Sequence, residues 1–295
     1  MAVKRKSNWY IYLIAFGISL AFVIGLIMTF SWYIFPESKQ TSGLTGSGTL
    51  ADDFRPDESY NFTVMTMLSD KASSSPELFV IVSYNAVDSA VMFIPVPNGI
   101  SIGREGRSLS NIYDSRGGAG VMQAVSAAAD ISFDGYISFD REAFVRLVSA
   151  YGSVTYNVPE TVTVSDGSQL AVFNAGEQII APENLFRYIY LAELGQGESY
   201  RFNIVCDILS ELFNQNLRYT DSSLLDSYFN IISESCSTDI TKEMYTDKKA
   251  ALLNTIEYGS YPAEYYVPYG EYGGDGSFEI AENSVITIKQ KCLQD

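Results

Sequence analysis

The chain has 295 residues, a net charge of −16, three cysteines and no histidine. Without histidine there is no Ser-His-Asp or Cys-His catalytic group and no His-ligated zinc, and three cysteines are too few for a cysteine-only zinc site or an Fe–S cluster. The acidity argues against a nucleic-acid partner, which needs surplus Lys and Arg, and 47% hydrophobic against 18% charged residues exclude a wholly disordered chain.

The charge is unevenly placed. Lys4, Arg5 and Lys6 fall within residues 1–8, residues 9–35 carry none, and the rest holds 16 basic and 35 acidic side chains, a net of −19. A helix from Trp9 to Phe35, at ~1.5 Å per residue, reaches about 40 Å and crosses a ~30 Å hydrocarbon core with some tilt. Trp9 and Tyr10 at one end and Trp32 and Tyr33 at the other suit the two interfaces, and Pro36 stops the helix. The basic residues before the span predict a cytoplasmic N-terminus and a single-pass type II protein of the cell membrane, with its body outside. The competing assignment is a cleaved signal peptide, which has a shorter apolar region and a small-residue cleavage site; Trp32-Tyr-Ile-Phe35 is a poor one. Residues 36–60, rich in Gly and Ser, read as a flexible linker, which leaves 61–295 as the extracytoplasmic domain.

In that domain Leu78–Tyr84 and Ala90–Val96 are β-rich apolar runs separated by a hairpin-length loop, and their continuous hydrophobicity predicts central strands covered on both faces. Residues 119–129 carry Val121, Met122, Val125, Ala128 and Ala129 at helical spacing. Asp140 is placed to cap a helix whose apolar face holds Phe144, Val145, Val148 and Tyr151. Further strands are predicted at 152–158 and 160–165, helices at 183–192, 201–214, 221–233 and 239–257, and a last segment at 279–291. The tail between, with Tyr261, Tyr265, Tyr266, Tyr269 and Tyr272, is aromatic enough to offer sugar-binding faces, although packing is the commoner use of such rings. Cys206, on a helical apolar face, reads as a buried thiol, and a Cys236–Cys292 disulfide is a candidate outside the cytoplasm. The fold class expected is α/β, an α+β sandwich with a mixed central β-sheet flanked by helices, preceded by one transmembrane helix.

The order of segments resembles the LytR-CpsA-Psr family of envelope proteins from about Asn61 onward. Ser75-Pro-Glu-Leu-Phe-Val-Ile-Val-Ser-Tyr-Asn85 is similar to the family's Arg-Ser-Asp-Thr strand, and Phe93-Ile-Pro-Val-Pro-Asn-Gly99 sits where the family has Ser-Ile-Pro-Arg-Asp. Ser110-Asn-Ile-Tyr-Asp-Ser-Arg-Gly-Gly118 resembles its Lys-Ile-Asn…Gly-Gly turn. Phe144–Val154 with Asn157-Val-Pro159 resembles its valine-proline stretch, Gly176 to Tyr188 the approach to Tyr-x-Arg-x-Arg, and Tyr200–Val205 the Arg-x-x-Arg-Gln segment. The resemblance implies transfer of glycopolymers from polyprenyl-pyrophosphate carriers to peptidoglycan, with carboxylates holding Mg²⁺ and arginines clamping the pyrophosphate. Guanidinium groups match phosphate oxygens bidentately, and a hard cation neutralises the leaving group.

Carried over position by position, most of that equipment is missing. Ser75 stands for the first arginine, Asn98-Gly99 for the Arg-Asp pair, Leu109 for the lysine of the turn, Tyr190 and Ala192 for Arg-x-Arg, and Ile204-Val205 for Arg-Gln. The resemblance leaves Arg201 and Glu77 as catalytic candidates, Glu77 and Asp70 as metal carboxylates, and Asn98, Asn111, Arg116 and Arg201 as ligand contacts. Arg104 and Arg107 flank the same loop as Arg116. Mg²⁺ is expected only where the site is active. The expectation is therefore a catalytically degenerate envelope protein that binds or regulates a polyprenyl-phosphate lipid or cell-wall glycopolymer. The alternatives are an active phosphotransferase using Glu77 and Arg201, and a receptor or assembly component that has lost the lipid.

Overall fold

The computed structural model describes residues 54–100, 108–167, 169–192, 194 and 197–292. The predicted span at 9–35, most of the linker, and Arg104 and Arg107 lie outside the described residues. Among the described residues no helix is long and apolar enough to cross a membrane.

The two apolar runs form the middle of a six-stranded sheet. Strands β2 (Leu78–Asn85) and β3 (Ala90–Val96) pair antiparallel from Phe79↔Val96 to Asn85↔Ala90. On the other side of β2 lies β1 (Phe62–Leu68), antiparallel to it, and then β4 (Gly135–Phe139), parallel to β1. Strand β1 did not stand out in the sequence because Thr63 and Thr66 interrupt its apolar run. Both hydroxyls are satisfied inside the sheet, Thr63 beside Ser83 at 3.3 Å and Thr66 donating to the Val80 carbonyl at 2.7 Å, so burial costs little.

Helix α1 (Leu109–Ala129) follows β3, and α2 (Arg141–Tyr151) follows β4. Two small antiparallel pairs come next, β5 (Val154–Val158) with β8 (Gly176–Ile180) and β6 (Val162–Ser165) with β7 (Leu170–Phe173). Then α3 (Pro182–Phe186) runs into a π turn at Arg187–Leu191, followed by α4 (Glu198–Asn216) and α5 (Ser222–Ser235). Strand β9 (Ser237–Thr238) closes one sheet edge; α6 (Lys242–Tyr258) leads to β10 (Ala263–Tyr265), which closes the other. A hairpin of β11 (Gly270–Tyr272) and β12 (Phe278–Ile280) precedes α7 (Glu282–Lys291).

This is the expected mixed sheet flanked by helices. Met65, Met67, Phe79, Ile81 and Ile94 face Ile112, Val121, Val125 and Ile288 of α1 and α7, while Leu68, Leu78 and Val80 face Phe186, Val205 and Ile208 on the other side. The helix predicted from 119 begins ten residues earlier, because the Gly117-Gly118 pair bends a helix instead of ending one. Gly117 takes φ +66°, and Gly118 lets α1 approach the Tyr136 ring so closely that an added Cβ would lie 2.4 Å from it. Asp140 caps α2 as expected, accepting from the Ala143 amide at 2.8 Å.

Two expectations need correction. All three cysteines are free: Cys236 ends α5 beside Asp140, whereas Cys292 lies buried next to Ser83 on the opposite face of the sheet, so no bridge joins them. Cys206 is buried, as read. The tail tyrosines are not all packing residues, since Tyr261, Tyr269 and Tyr272 are exposed. The end of the segment read as linker docks on α6, where Lys248 donates to the Ser59 carbonyl and lies 5.9 Å from the Tyr60 ring centroid.

Candidate functional site

Beyond the Leu68 end of β1 the chain turns through Ser69–Pro76 into β2, which brings Asp70 and Glu77 to one end of the sheet. The first turn of α1 holds that loop. Ser110 Oγ donates to the Pro76 carbonyl at 2.5 Å, and Ser75 Oγ donates to Asp114 Oδ1 at 2.5 Å. Asn98 is part of the same brace: its Oδ1 accepts from the Ser110 amide at 2.9 Å, and its carbonyl accepts from the Leu109 amide at 2.8 Å. It therefore satisfies two of the orphan donors that open a helix. Asn111 and Arg116 are exposed on α1, and Arg116 makes no hydrogen bond or ion pair among the described residues.

Tyr190 lies within electrostatic reach of Asp70, Glu77 and Arg201. Burial, reinforced by Glu77, pushes its phenol up to about 12, and the Asp70 backbone amide opposes part of that rise. Its ring stacks on Phe186 at 5.1 Å. Arg201, on the first turn of α4, is half-buried and donates from Nη2 to the carbonyls of Ile189 at 3.2 Å and Tyr190 at 3.0 Å. Burial lowers the Arg201 pKa below its ordinary value, against the opposing pull of Glu198 and Glu77. Asp70, Glu77 and Arg201 all lie near enough to Tyr190 to act on its phenol, and the guanidinium is turned toward backbone carbonyls.

Two further arginines lie at this end of the sheet, and sequence analysis missed both. Arg141 opens α2 and donates to Asp166 Oδ2 at 3.0 Å and from Nε to Glu183 Oε1 at 3.0 Å; Asp70 Oδ1 is 3.7 Å away. Its guanidinium also lies 5.0 Å over the Phe186 ring. Arg187 donates from Nε to the same Asp166 oxygen at 3.0 Å and from Nη2 to Gln169 at 2.9 Å. Asp166, on the β6–β7 turn, is therefore shared by two cations. Only the folded packing of α2, α3 and that turn brings the three together, so no local spacing announces them.

Mg²⁺ uses one or two protein carboxylates when substrate phosphates and water complete its shell. Asp70 faces a guanidinium, and no three His, Cys, Asp or Glu side chains converge on a metal position among the described residues.

An open recess of about 470 Å³ borders Arg201, lined by Tyr190, Ala192, Leu194 and Glu198. A second cavity of about 470 Å³, partly open to solvent, is strongly apolar and lies between α5, α6 and the sheet, lined by Phe62, Val64, Ile137, Phe229, Ile232 and Met244, with Asp134, Asp247 and Lys248 also bordering it. It lies toward the Phe62 end of β1, away from Asp70 and Glu77. The core between is filled: Leu68, Leu78, Leu185, Phe186, Val205 and Cys206 are all buried in one continuous cluster.

Residues 71–292 match the LytR_cpsA_psr family profile. Among solved structures, a protein described as a transcription regulator from Eubacterium siraeum superposes with TM-score 0.75 at 25% identity, over 84% of this chain and 97% of that one. TagV of B. subtilis gives TM-score 0.65 at 14% identity, over 80% of this chain and 98% of that one. A structure described as TagT bound to LIIa-WTA gives 0.59 at 15% identity, over 79% and 89%. A comparison with curated protein sequences found no match. With its fold shared by these structures and three quarters of its length matched by the profile, the chain belongs to the LytR_cpsA_psr family.

Proposed function

We propose that this protein is a membrane-anchored, extracytoplasmic envelope protein that binds polyprenyl-linked cell-wall glycopolymer without transferring it. The observation that carries the absence of transfer is the internal pairing of the cations at the sheet end. Arg141 and Arg187 are neutralised by Asp166 and Glu183, and Arg201 is bonded to two carbonyls. Phosphoryl transfer depends on cations free to meet developing charge, and a single missing arginine there costs about 10³-fold or more. A body of net charge −19 adds a repulsive background.

Binding is supported by family membership, by the LIIa-WTA ligand named for TagT, and by the apolar cavity under α5 and α6, whose volume falls in the ~300–1,000 Å³ range of ligand pockets. An isoprenoid chain has only dispersion and desolvation to offer such walls, which suits a lining of Phe, Ile, Val and Met.

The test is native mass spectrometry of the full chain in detergent, titrated with a polyprenyl phosphate and the matching polyprenyl alcohol. The two should bind within a few-fold of each other, and Ile232→Trp, which fills the cavity, should abolish both. A phosphate that binds about 100-fold more tightly, with the gain lost in Arg201→Ala, would overturn the proposal. Binding of neither lipid would favour the second account, an assembly component that keeps the fold without the lipid. The filled core between Arg201 and the cavity supports that account.

A further inference from the structure

Helix α4 carries Arg201 at one end; at its other end, some 24 Å along the axis at ~1.5 Å per residue, lies a pocket unrelated to the site above. The last turn of α4, the 3₁₀ turn Leu217–Tyr219 and the segment Gly259–Pro262 after α6 enclose about 440 Å³ there, with a largely polar lining.

The floor is built and rigid. Asn214 bonds Ala263 in both directions, accepting from its amide at 2.9 Å and donating to its carbonyl at 3.0 Å. Gln215 does the same with Thr155, at 2.8 Å each way, and Asn216 donates to the Ser153 carbonyl at 3.0 Å. Two tyrosine rings stand at the rim, Tyr219 65% and Tyr261 74% exposed. Arg218 lies 5.0 Å over the Tyr219 ring and donates to its hydroxyl at 3.0 Å.

Tyr261 is held at a disadvantage. Its φ is +51°, a left-handed conformation unfavourable for a bulky side chain, and it precedes a proline, which further restricts its backbone. The neighbouring Asn214–Ala263 bonds and the bond from the Val91 amide to the Pro262 carbonyl keep the turn in place. The ring gains no burial from this, and it makes no hydrogen bond or ring contact among the described residues. Backbone strain with no burial in return clusters at positions that meet a ligand.

The surroundings select the ligand's chemistry. Helices α4 and α6 both end here, and the partial negative charge of their last carbonyls disfavours anions while accepting from hydroxyl groups. Arg218 disfavours cations. What remains is a neutral molecule with many hydroxyl or amide groups and an apolar face to lie against tyrosine. We infer that this pocket is a carbohydrate-binding site that takes one or two sugar units of a neutral glycan chain between Tyr219 and Tyr261. It does not depend on the lipid-binding proposal.

The test is isothermal titration of the full chain with an N-acetylglucosamine tetrasaccharide, in a detergent without a sugar headgroup, and with polyglycerol phosphate in parallel. The tetrasaccharide should bind, Tyr219→Ala and Tyr261→Gly should each weaken it by about tenfold, and Tyr261→Trp should retain it. Tyr261→Gly relieves the left-handed strain, so its unfolding temperature should hold or rise while binding is lost, a combination that a packing role for Tyr261 does not give. Absence of tetrasaccharide binding at millimolar concentration, binding unchanged in both weakening variants, or binding of polyglycerol phosphate alone would overturn the assignment.

Discussion

The Arg201 guanidinium donates to the Tyr190 carbonyl at 3.0 Å, from the first turn of α4 to the π turn that precedes it. With the Ile189 carbonyl at 3.2 Å, it satisfies acceptors at a helical end that have no intrahelical donor. Arg201→Ala should therefore destabilise the fold by about 1–3 kcal/mol, the loss of a charged donor to two part-buried carbonyls. Urea unfolding measures this. A residue kept only for catalysis would show no such loss.

Asp166 is the more critical structural charge, since its side chain is 6% exposed and it accepts from Arg141 and Arg187, both at 3.0 Å. Asp166→Ala leaves two guanidinium groups short of a partner and should cost about 3 kcal/mol, the low end for breaking a buried pair, because Arg141 remains a quarter exposed. The same variant, if folded, should bind inorganic pyrophosphate more tightly than the native protein. Calorimetry on the two proteins reads the difference.

These two carboxylate–arginine contacts also mark where sequence stopped being informative. Strands β2 and β3 were legible because an apolar run buried on both faces looks the same in one dimension as in three. The cap Asp140 was legible because a cap acts within three residues. Strand β1 was hidden by buried threonines whose partners are on the next strand, and the first half of α1 by a Gly-Gly pair that serves close packing on Tyr136. The resemblance singled out Asp70, Glu77 and Arg201 one by one, with Tyr190 and Ala192 where it implies arginines. It could not show that Arg201 faces carbonyls or that Arg141 and Arg187 share Asp166, because those contacts span 11 to 25 residues and exist only after packing.

Asp207 lies under the β5–β8 pair, where its Oδ2 accepts from the Tyr156 hydroxyl at 3.0 Å. Burial raises its carboxyl pKa, and the bond from Tyr156 opposes part of that rise. The folded state thus favours the protonated acid. Its contribution to stability is fully present below the unfolded pKa and declines as pH rises through the folded one. Asp207→Asn should therefore be more stable than the native protein at neutral pH, with the gain fading near pH ~3, below the ordinary aspartate range. Urea midpoints at the two pH values check the sign.

Tyr188 is buried, yet its hydroxyl has no hydrogen-bond partner among the described residues. Desolvation without a bond is a net loss, so Tyr188→Phe should stabilise the fold by about 1 kcal/mol. Thermal unfolding monitored by near-ultraviolet circular dichroism measures the gain and confirms that the core is intact.

The central claim, binding without transfer, is tested most directly by incubating the full chain with a polyprenyl-pyrophosphate-linked glycan, peptidoglycan acceptor and Mg²⁺, and following release of polyprenyl phosphate. The internally paired arginines predict no release above the protein-free background. Release that needs Mg²⁺ and disappears in Arg201→Ala would contradict the account and return Arg201 and Glu77 to catalytic roles.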